Sequence, residues 1–231
     1  MAPTLPVLLQ EVESLREAYD DLHLRIKYHT AFVVGRLAFR AQLGDMELHD
    51  SYEIEIQIPK DYPWCPPVTR EVGERIPRDV NHHVYPDGSL CLGPPIEVLR
   101  SFRRKPTLLG YVKDVLVPSL FWHTYNERHP DRAFGAYSHG AKGIAQYRAE
   151  TDLATTYYEI FGVRDISIVR HFLKLACQET IKYAIPCPCR SAKPLGDCHG
   201  PVLRGLLATA YLGKGELAQD YFWLKDKHKG N

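Results

Sequence analysis

The sequence predicts an α+β protein in which an antiparallel sheet is followed by helices and a small cysteine-rich C-terminal unit. Residues 51–59 alternate apolar and polar side chains strictly, which is typical of a strand with one face in the core. Apolar residues recur at helical spacing before this strand, in residues 7–22, and in most of the chain after residue 106. Cysteines and a histidine cluster within residues 187–199.

The predicted first helix has four side chains on one face: Leu8, Val12, Leu15 and Tyr19. An antiparallel block follows, with strands predicted at residues 32–43 and 51–59. Four prolines within residues 58–67 then end the second strand and impose an extended loop.

Helical patterns follow at residues 106–127, 139–162, 202–210 and 217–224. Pro118 is expected to bend or split the first of these helices, and Gly162 to end the second. Asp165 can cap a further helix with one apolar face. We therefore predict two domains, residues 1–150 and a helical extension of residues 151–231.

Charge and hydropathy exclude several function classes. The chain has 29 Lys and Arg against 28 Asp and Glu, so its balance argues against a nucleic-acid partner bound through bulk charge. The longest apolar run, residues 115–122, is too short to span a bilayer, and the N terminus lacks the basic segment of a signal peptide. These features predict a cytoplasmic protein with no membrane partner and with reduced cysteines.

Residues 81–95, NHHVYPDGSLCLGPP, combine a cysteine with a turn and two histidines. Cys91 follows an Asp87-Gly88 pair that is typical of a tight turn. Gly93 has no Cβ, so the backbone after the cysteine can turn. Two interpretations are open: Cys91 is a nucleophile presented beside a turn, or it is a small buried apolar residue, as single cysteines usually are.

Two segments together resemble the ubiquitin-conjugating enzyme family. YPWCPP (residues 62–67), directly after a predicted strand, is similar to the family's Y-P-x-x-P-P loop. DGSLCL (residues 87–92) resembles the G-x-[IL]-C-L segment around the family's active-site cysteine. The resemblance covers about residues 5–150 and implies a UBC-like fold with an N-terminal helix, an antiparallel meander and C-terminal helices.

The upstream part of the motif differs from the family pattern. Family members usually have His-Pro-Asn, whereas this chain has Asn81, His82 and His83, with His83 in the place of the asparagine. That asparagine is held to stabilise the oxyanion or the active-site loop, and a histidine can serve either role or act as a base. The substitution, with Ser-His-Gly at residues 138–140, resembles a bacterial branch found beside ubiquitin-like modifiers in anti-phage gene clusters.

The resemblance implies an acyl-transferring enzyme. Cys91 would accept a ubiquitin-like modifier as a thioester from an activating enzyme and pass it to an amine on a protein target. The candidate catalytic residues are Cys91, His83, His82 and Asp87. His83 can instead be structural, and Asp87 can tune an incoming lysine or simply form the turn. The sequence has no phosphate-binding glycine loop, so ATP would be consumed by the activating enzyme.

The C-terminal cluster CPCRSAKPLGDCH predicts a second site, made of four soft or borderline ligands: Cys187, Cys189, Cys198 and His199. Such a set within one short loop suits tetrahedral zinc. Free thiols are the alternative, and a disulfide is disfavoured in the cytosol.

The spacing of these ligands also resembles the SEC-C motif, C-P-C-G-S-G-x5-C-[CH], a small zinc-binding module. Ser191 retains the motif's serine, whereas Arg190 and Ala192 replace its two glycines. The resemblance implies a structural zinc and a role in recognising a partner protein.

Two other functions remain as alternatives. A non-catalytic adaptor of the same fold would bind a ubiquitin-like protein and use the zinc segment as a second interaction surface. Retention of Cys91 in the motif argues against the adaptor, and the missing asparagine argues mildly for it. A zinc-dependent hydrolase would need three ligands and an open position, but this cluster offers four.

Overall fold

A four-stranded antiparallel sheet organises the first part of the chain. The computed structural model describes residues 4–132, 137 and 140–227. The strands pair in chain order as a meander: β1 (His23–Lys27), β2 (Thr30–Leu43), β3 (Met46–Ile58) and β4 (Val68–Glu71). The prediction of an α+β protein with antiparallel strands is confirmed.

The alternating strand β3 places its apolar face in the core, as predicted. Every second residue of its C-terminal half is buried: Tyr52, Ile54, Ile56 and Ile58. Strands β1 and β4 were not predicted from the sequence. Strand β1 alternates over only five residues and buries none of them, and the buried residues of the four-residue β4 are polar, Thr69 and Glu71, so neither has the apolar face by which a strand is recognised.

The α-helices in the described ranges are α1 (Leu5–Arg16), α2 (Pro95–Arg104), α3 (Leu108–Tyr111), α4 (Val117–Arg128), α5 (Gly140–Glu150), α6 (Leu153–Phe161), α7 (Ile166–Ala176), α8 (Gly200–Ala208) and α9 (Lys214–Lys227). Short 3-10 helices lie at Val80–His82, Pro130–Arg132 and Leu195–Asp197. Across these ranges every helix is too short or too polar to cross a membrane.

Helices α3 and α4 are joined by a π-helical segment, Val112–Leu116. Pro118 lies in the first turn of α4, immediately after this segment. Proline cannot donate the usual i to i−4 hydrogen bond, and a π-turn allows the helix to change register around such a residue. The disturbance expected at Pro118 therefore takes the form of a local change in helix type, and the chain stays helical through it.

The single helix predicted over residues 139–162 is wrong, because the chain forms α5 and α6 there. Asp152 accepts a hydrogen bond from the N–H of Ala154 at 3.2 Å and caps α6, so a second helix begins inside the predicted one. Gly162 ends α6 in the left-handed conformation, and Asp165 caps α7, both as predicted.

Most of the buried apolar side chains among the described residues belong to one of two clusters. The sheet cluster lies between the sheet, α1 and the helical stretch from α3 to α4. The helical cluster lies among α6 to α9 and the cysteine loop. Helix α2 joins them, because Phe102 belongs to the sheet cluster while Ile96 and Leu99 belong to the helical cluster. The domain boundary predicted after residue 150 stays a prediction.

Candidate active site and metal centre

Cys91 lies directly after a small hairpin at the β4 edge of the sheet. Val84 and Leu90 pair across this hairpin, and Gly88 in its turn has a φ of 82°, which favours glycine. The N–H of Leu90 donates to the carbonyl of Thr69 in β4 at 2.8 Å. The hairpin is thereby fixed to the sheet, and the position of the half-buried Cys91 is fixed with it.

His83 is held beside Cys91 by its backbone and by its ring. The N–H of Cys91 donates to the carbonyl of His83 at 2.7 Å. His83 has a left-handed backbone with a φ of 52°, and its ring meets Trp122 of α4 edge-on, with the ring centroids 4.9 Å apart. Two elements distant in sequence therefore fix this histidine.

A cavity of about 510 Å³ opens beside Cys91 and His83. Its walls come from the hairpin, α2, the π-helical segment, α4 and α5, together with Tyr211 and Glu216 from the C-terminal part of the chain. All six cysteines belong to the described residues, and of these only Cys91 lines the cavity. The volume of this cavity is typical of a binding site.

His82 and Asp87, the other two predicted catalytic residues, are absent from the cavity lining among the residues described. The Nδ1 atom of His82 lies 2.9 Å from a carboxylate oxygen of Asp79, which caps the short 3-10 helix. Asp87 accepts hydrogen bonds from the N–H of Ser89 at 3.0 Å and from the hydroxyl of Tyr211 at 2.9 Å. Their contacts hold the loop and the turn, and a catalytic role for either stays a prediction.

Two tyrosines at the site were missed from the sequence. The rings of Tyr85 and Tyr211 stack with centroids 3.6 Å apart and planes 10° from parallel. Burial, with the adjacent Cys91 thiol as a smaller cause, raises the pKa of Tyr85 above its ordinary value. Tyr85 lies within the segment already singled out around Cys91, but no local signal connects Tyr211 to that segment.

Sequence reasoning also did not identify a buried histidine near the site, His123 of α4. Burial, with smaller effects from His83 and His82, lowers the pKa of His123 to about 4. Its ring is therefore neutral at physiological pH, and the apolar side of α4 tolerates it for that reason.

Cys187, Cys189, Cys198 and His199 come together as the sequence predicts, with their candidate ligand atoms all within 4.8 Å of one another. Neighbouring sulfurs are 3.4 and 3.5 Å apart, and Nδ1 of His199 is 3.3 and 3.2 Å from two of them. Tetrahedral zinc, with bonds of about 2.3 Å to sulfur and about 2.0 Å to nitrogen, has ligand separations of about 3.5–3.8 Å. The cluster can hold a metal ion and is compatible with zinc.

The contact on the far side of the His199 ring orients it for this role. Nε2 of His199 lies 3.0 Å from the carbonyl of Phe161. A carbonyl only accepts, so Nε2 carries the proton and the lone pair of Nδ1 is directed at the thiols. Metal-binding histidines are typically oriented in this way.

The two positions at which the SEC-C motif has glycine are left-handed in this chain. Arg190 has a φ of 64° and Ala192 a φ of 60°. Glycine adopts this conformation without strain, whereas residues with a Cβ do not. At both positions the loop therefore has a backbone conformation that favours glycine, although neither residue is glycine.

No protein-family model, curated protein or solved structure matches this chain. A function is therefore inferred from the geometry of the site and from the motif segments themselves.

Proposed function

We propose that this protein is a ubiquitin-conjugating-type enzyme that carries a ubiquitin-like modifier as a thioester on Cys91 and transfers it to an amine on a protein target. One observation carries the proposal: Cys91 alone among the six cysteines, all of them described, lines the cavity of about 510 Å³. Strands β1 to β3, the proline loop of residues 62–67 and, after β4, the hairpin before Cys91 follow one another in the order that the family resemblance implies.

The proposed chemistry consists of two acyl transfers. The sulfur of Cys91 attacks the thioester carbonyl of the charged activating enzyme, a new C–S bond forms, and the thiolate of that enzyme leaves. An amine on the target then attacks the Cys91 thioester, so that a C–N bond forms, the C–S bond breaks and the amine loses a proton. Cysteine suits both steps because its thiolate is a good nucleophile and a good leaving group.

In this proposal His83 assists the carbonyl oxygen or holds the loop. His83 lines the same cavity as Cys91, and its carbonyl already accepts the Cys91 N–H. A ring N–H directed at the developing oxyanion would stabilise negative charge that appears only in the transition state.

We further propose that the cluster of Cys187, Cys189, Cys198 and His199 holds a structural zinc. The four candidate ligands leave no open position on a tetrahedral ion, which disfavours a zinc-dependent hydrolase. The proposed partners are a ubiquitin-like modifier, its activating enzyme and a protein target, in the cytoplasm of a bacterium with an anti-phage conjugation system.

The test is a thioester assay on a non-reducing gel. The purified protein is incubated with ATP, and with the activating enzyme and the ubiquitin-like protein encoded beside its gene. We expect an adduct that requires ATP, disappears with thiol reductant and is absent in Cys91→Ala. Cys177→Ala is the matched control and should charge normally, because Cys177 lies outside the cavity.

Discharge to lysine then separates the roles of His83. We expect His83→Ala to slow discharge by about 10²-fold if its ring stabilises the oxyanion, and His83→Asn to restore much of the rate. If no adduct forms while the activating enzyme charges itself normally, the conjugating function is wrong and the adaptor alternative takes its place.

A further inference from the structure

The C-terminal part of the chain reaches the Cys91 cavity through one tyrosine in an unfavourable backbone conformation. Tyr211 has a φ of 64°, in the left-handed region that residues with a Cβ rarely adopt. Its hydroxyl donates to Asp87 at 2.9 Å and contacts the hydroxyl of Ser89. Strained conformations of this kind persist where surrounding contacts fix them, often at functional sites.

The stacked ring of Tyr211 also restrains Tyr85, which lies six residues before Cys91 in the sequence. The N–H of Tyr85 donates to the carbonyl of Ser89 at 2.9 Å, so the hairpin fixes its backbone. The stack with Tyr211 covers one face of the Tyr85 ring and limits the directions in which its hydroxyl can point. Tyr85 and Tyr211 both line the cavity with Cys91.

Helix α8 connects the cysteine loop to the segment that contains Tyr211. It begins at Gly200, directly after the metal-site residue His199, and ends at Ala208, shortly before Tyr211. A Cβ added at Gly205 in the middle of α8 would lie 2.2 Å from the carbonyl oxygen of Trp64. The helix backbone is therefore in direct contact with the proline loop, while Tyr211 and Glu216, which follow the helix, line the Cys91 cavity.

The Tyr85 hydroxyl is suited to hydrogen-bond the sulfur of Cys91. Across the hairpin, His83 lies opposite Cys91 and Tyr85 lies opposite Ser89, so Tyr85 and Cys91 are diagonal neighbours on one face. Burial raises the pKa of Tyr85, so its hydroxyl keeps its proton across the physiological range and can donate it in a hydrogen bond. A hydrogen bond to the charged form of a group favours that form.

We propose that Tyr85 stabilises the thiolate of Cys91 through its hydroxyl, and that Tyr211 of the C-terminal unit is the positioning residue that holds Tyr85 there. The unit that contains the metal cluster is then part of the Cys91 site, in addition to any role in binding a partner. This inference does not require the conjugating function, because it concerns the reactivity of the free thiol.

The test is the rate at which iodoacetamide alkylates Cys91 in the full-length protein, measured as a function of pH. The thiolate sulfur attacks the methylene carbon, a C–S bond forms, the C–I bond breaks with loss of iodide, and the thiol proton goes to solvent. Peptide mass spectrometry distinguishes Cys91 from the other cysteines. Neither the modifier nor the activating enzyme is needed, so failure here and failure of the proposed function are distinguishable.

We expect Tyr85→Phe to slow alkylation about threefold at neutral pH, because a lost hydrogen bond reduces the thiolate fraction more than it raises its nucleophilicity. The midpoint of the pH profile should move upward by about 0.5 to 1 pH unit, and the rate at high pH should not fall. A change that merely opened the cavity would alter the rate at every pH and leave the midpoint in place.

Tyr211 should act through Tyr85. Tyr211→Gly removes the side chain but suits the left-handed backbone, and we expect it to move the midpoint in the same direction as Tyr85→Phe. Tyr211→Phe keeps the stack and should have a smaller effect. The double variant Tyr85→Phe with Tyr211→Gly should match Tyr85→Phe alone, because residues that act as one unit are not additive.

Tyr28→Gly is the matched control, since Tyr28 has a φ of 49°, is 88% exposed and does not line the cavity. It should leave the profile unchanged. These substitutions keep the other titratable side chains of the described cavity lining: His83, Glu97, Asp114, Tyr137 and Glu216.

An unchanged midpoint in Tyr85→Phe would overturn the role of Tyr85. A midpoint that Tyr211→Gly moves further in the Tyr85→Phe background would overturn the positioning role of Tyr211.

Discussion

The sheet cluster and the cysteine loop are held together by different physical means. In the sheet cluster, long paired strands bury alternate side chains, and Ile54 and Ile56 are fully excluded from solvent. The loop contributes Cys187 and Leu195 to the helical cluster, and short-range backbone hydrogen bonds close it, such as the one from the N–H of Cys187 to the carbonyl of Lys193 at 2.9 Å. Four loop side chains converge on the candidate metal cluster. We therefore expect the sheet cluster to depend on apolar burial, and the loop to depend in addition on an ion held by these four side chains.

Removal of the candidate metal ligands should have the largest effect. The loss of structure should be confined to the cysteine loop and α8. We expect Cys187→Ser with Cys198→Ser to abolish stoichiometric zinc and to unfold residues 183–199, since zinc binding contributes about 10–16 kcal/mol in small zinc domains. Metal analysis and hydrogen exchange would measure this, with protection lost in the loop and in α8 but kept in β2 and β3.

Cys177→Ser provides the matched control, because Cys177 follows α7 outside the cluster. It should keep the metal and the protection of the loop. A metal-free wild-type protein with a fully protected loop would contradict the dependence on an ion and would leave the free-thiol alternative.

Truncation of a buried side chain in the sheet cluster should destabilise the sheet and leave the metal content unchanged. Ile56→Ala removes a fully buried side chain from β3 and should lower the free energy of unfolding by about 2–5 kcal/mol, with the metal content unchanged. Urea denaturation followed by circular dichroism would measure the loss. Ile26→Ala in β1 is the control, since this residue is 57% exposed, and it should change stability by about 0.5 kcal/mol or less. Equal effects would mean that the sheet does not depend on apolar burial.

The features that could be predicted from the sequence are those that have a signal within one short segment. The face of β3 and the cap of α7 were predicted because alternation and an aspartate before an apolar face are local patterns. The candidate metal cluster was predicted because its four side chains lie within residues 187–199. The break between α5 and α6 was missed because Asp152 lies inside a run whose apolar spacing continues past it.

The Cys91 site was predictable only in part for the same reason. Cys91 and His83 belong to one short segment and lie in one cavity. Tyr211 and Glu216 reach that cavity through packing of the C-terminal unit, and no periodicity or spacing in the sequence connects them to Cys91. Contacts between distant segments depend on how the two clusters pack, which a local pattern does not encode.

Acid should weaken a contact between the sheet and α4. Asp50 of β3 accepts hydrogen bonds from Arg75 at 2.7 and 2.8 Å and from Arg128 of α4 at 2.9 Å. The Arg75 hydrogen bonds hold the pKa of Asp50 well below its ordinary value. This contribution to stability is therefore present above the ordinary carboxyl pKa of about 3.9 and is lost as the pH falls below it.

We expect Asp50→Asn to lower stability by about 1 kcal/mol at pH 7 and to flatten the loss of stability on acidification. Urea denaturation at a series of pH values would measure both. Glu13→Gln, which removes a surface pair with Arg16, should change neither. If stability fell as steeply with acidification in Asp50→Asn as in the wild type, other carboxylates would account for the loss.

The smallest expected effect is a gain in the cysteine loop. Ala192 is exposed and left-handed, so Ala192→Gly should relieve backbone strain and raise the local stability of the loop by about 0.5–1 kcal/mol, after the entropy that glycine loses on folding is subtracted. Ala145→Gly makes the same change in the exposed middle of α5 and should cost about 1 kcal/mol. Hydrogen exchange of residues 187–199 with metal bound would measure the gain. Opposite signs for the two substitutions would show that backbone conformation, as well as the ligands, sets the stability of this loop. A loss at both positions would mean that the left-handed backbone of Ala192 costs less than the flexibility of glycine.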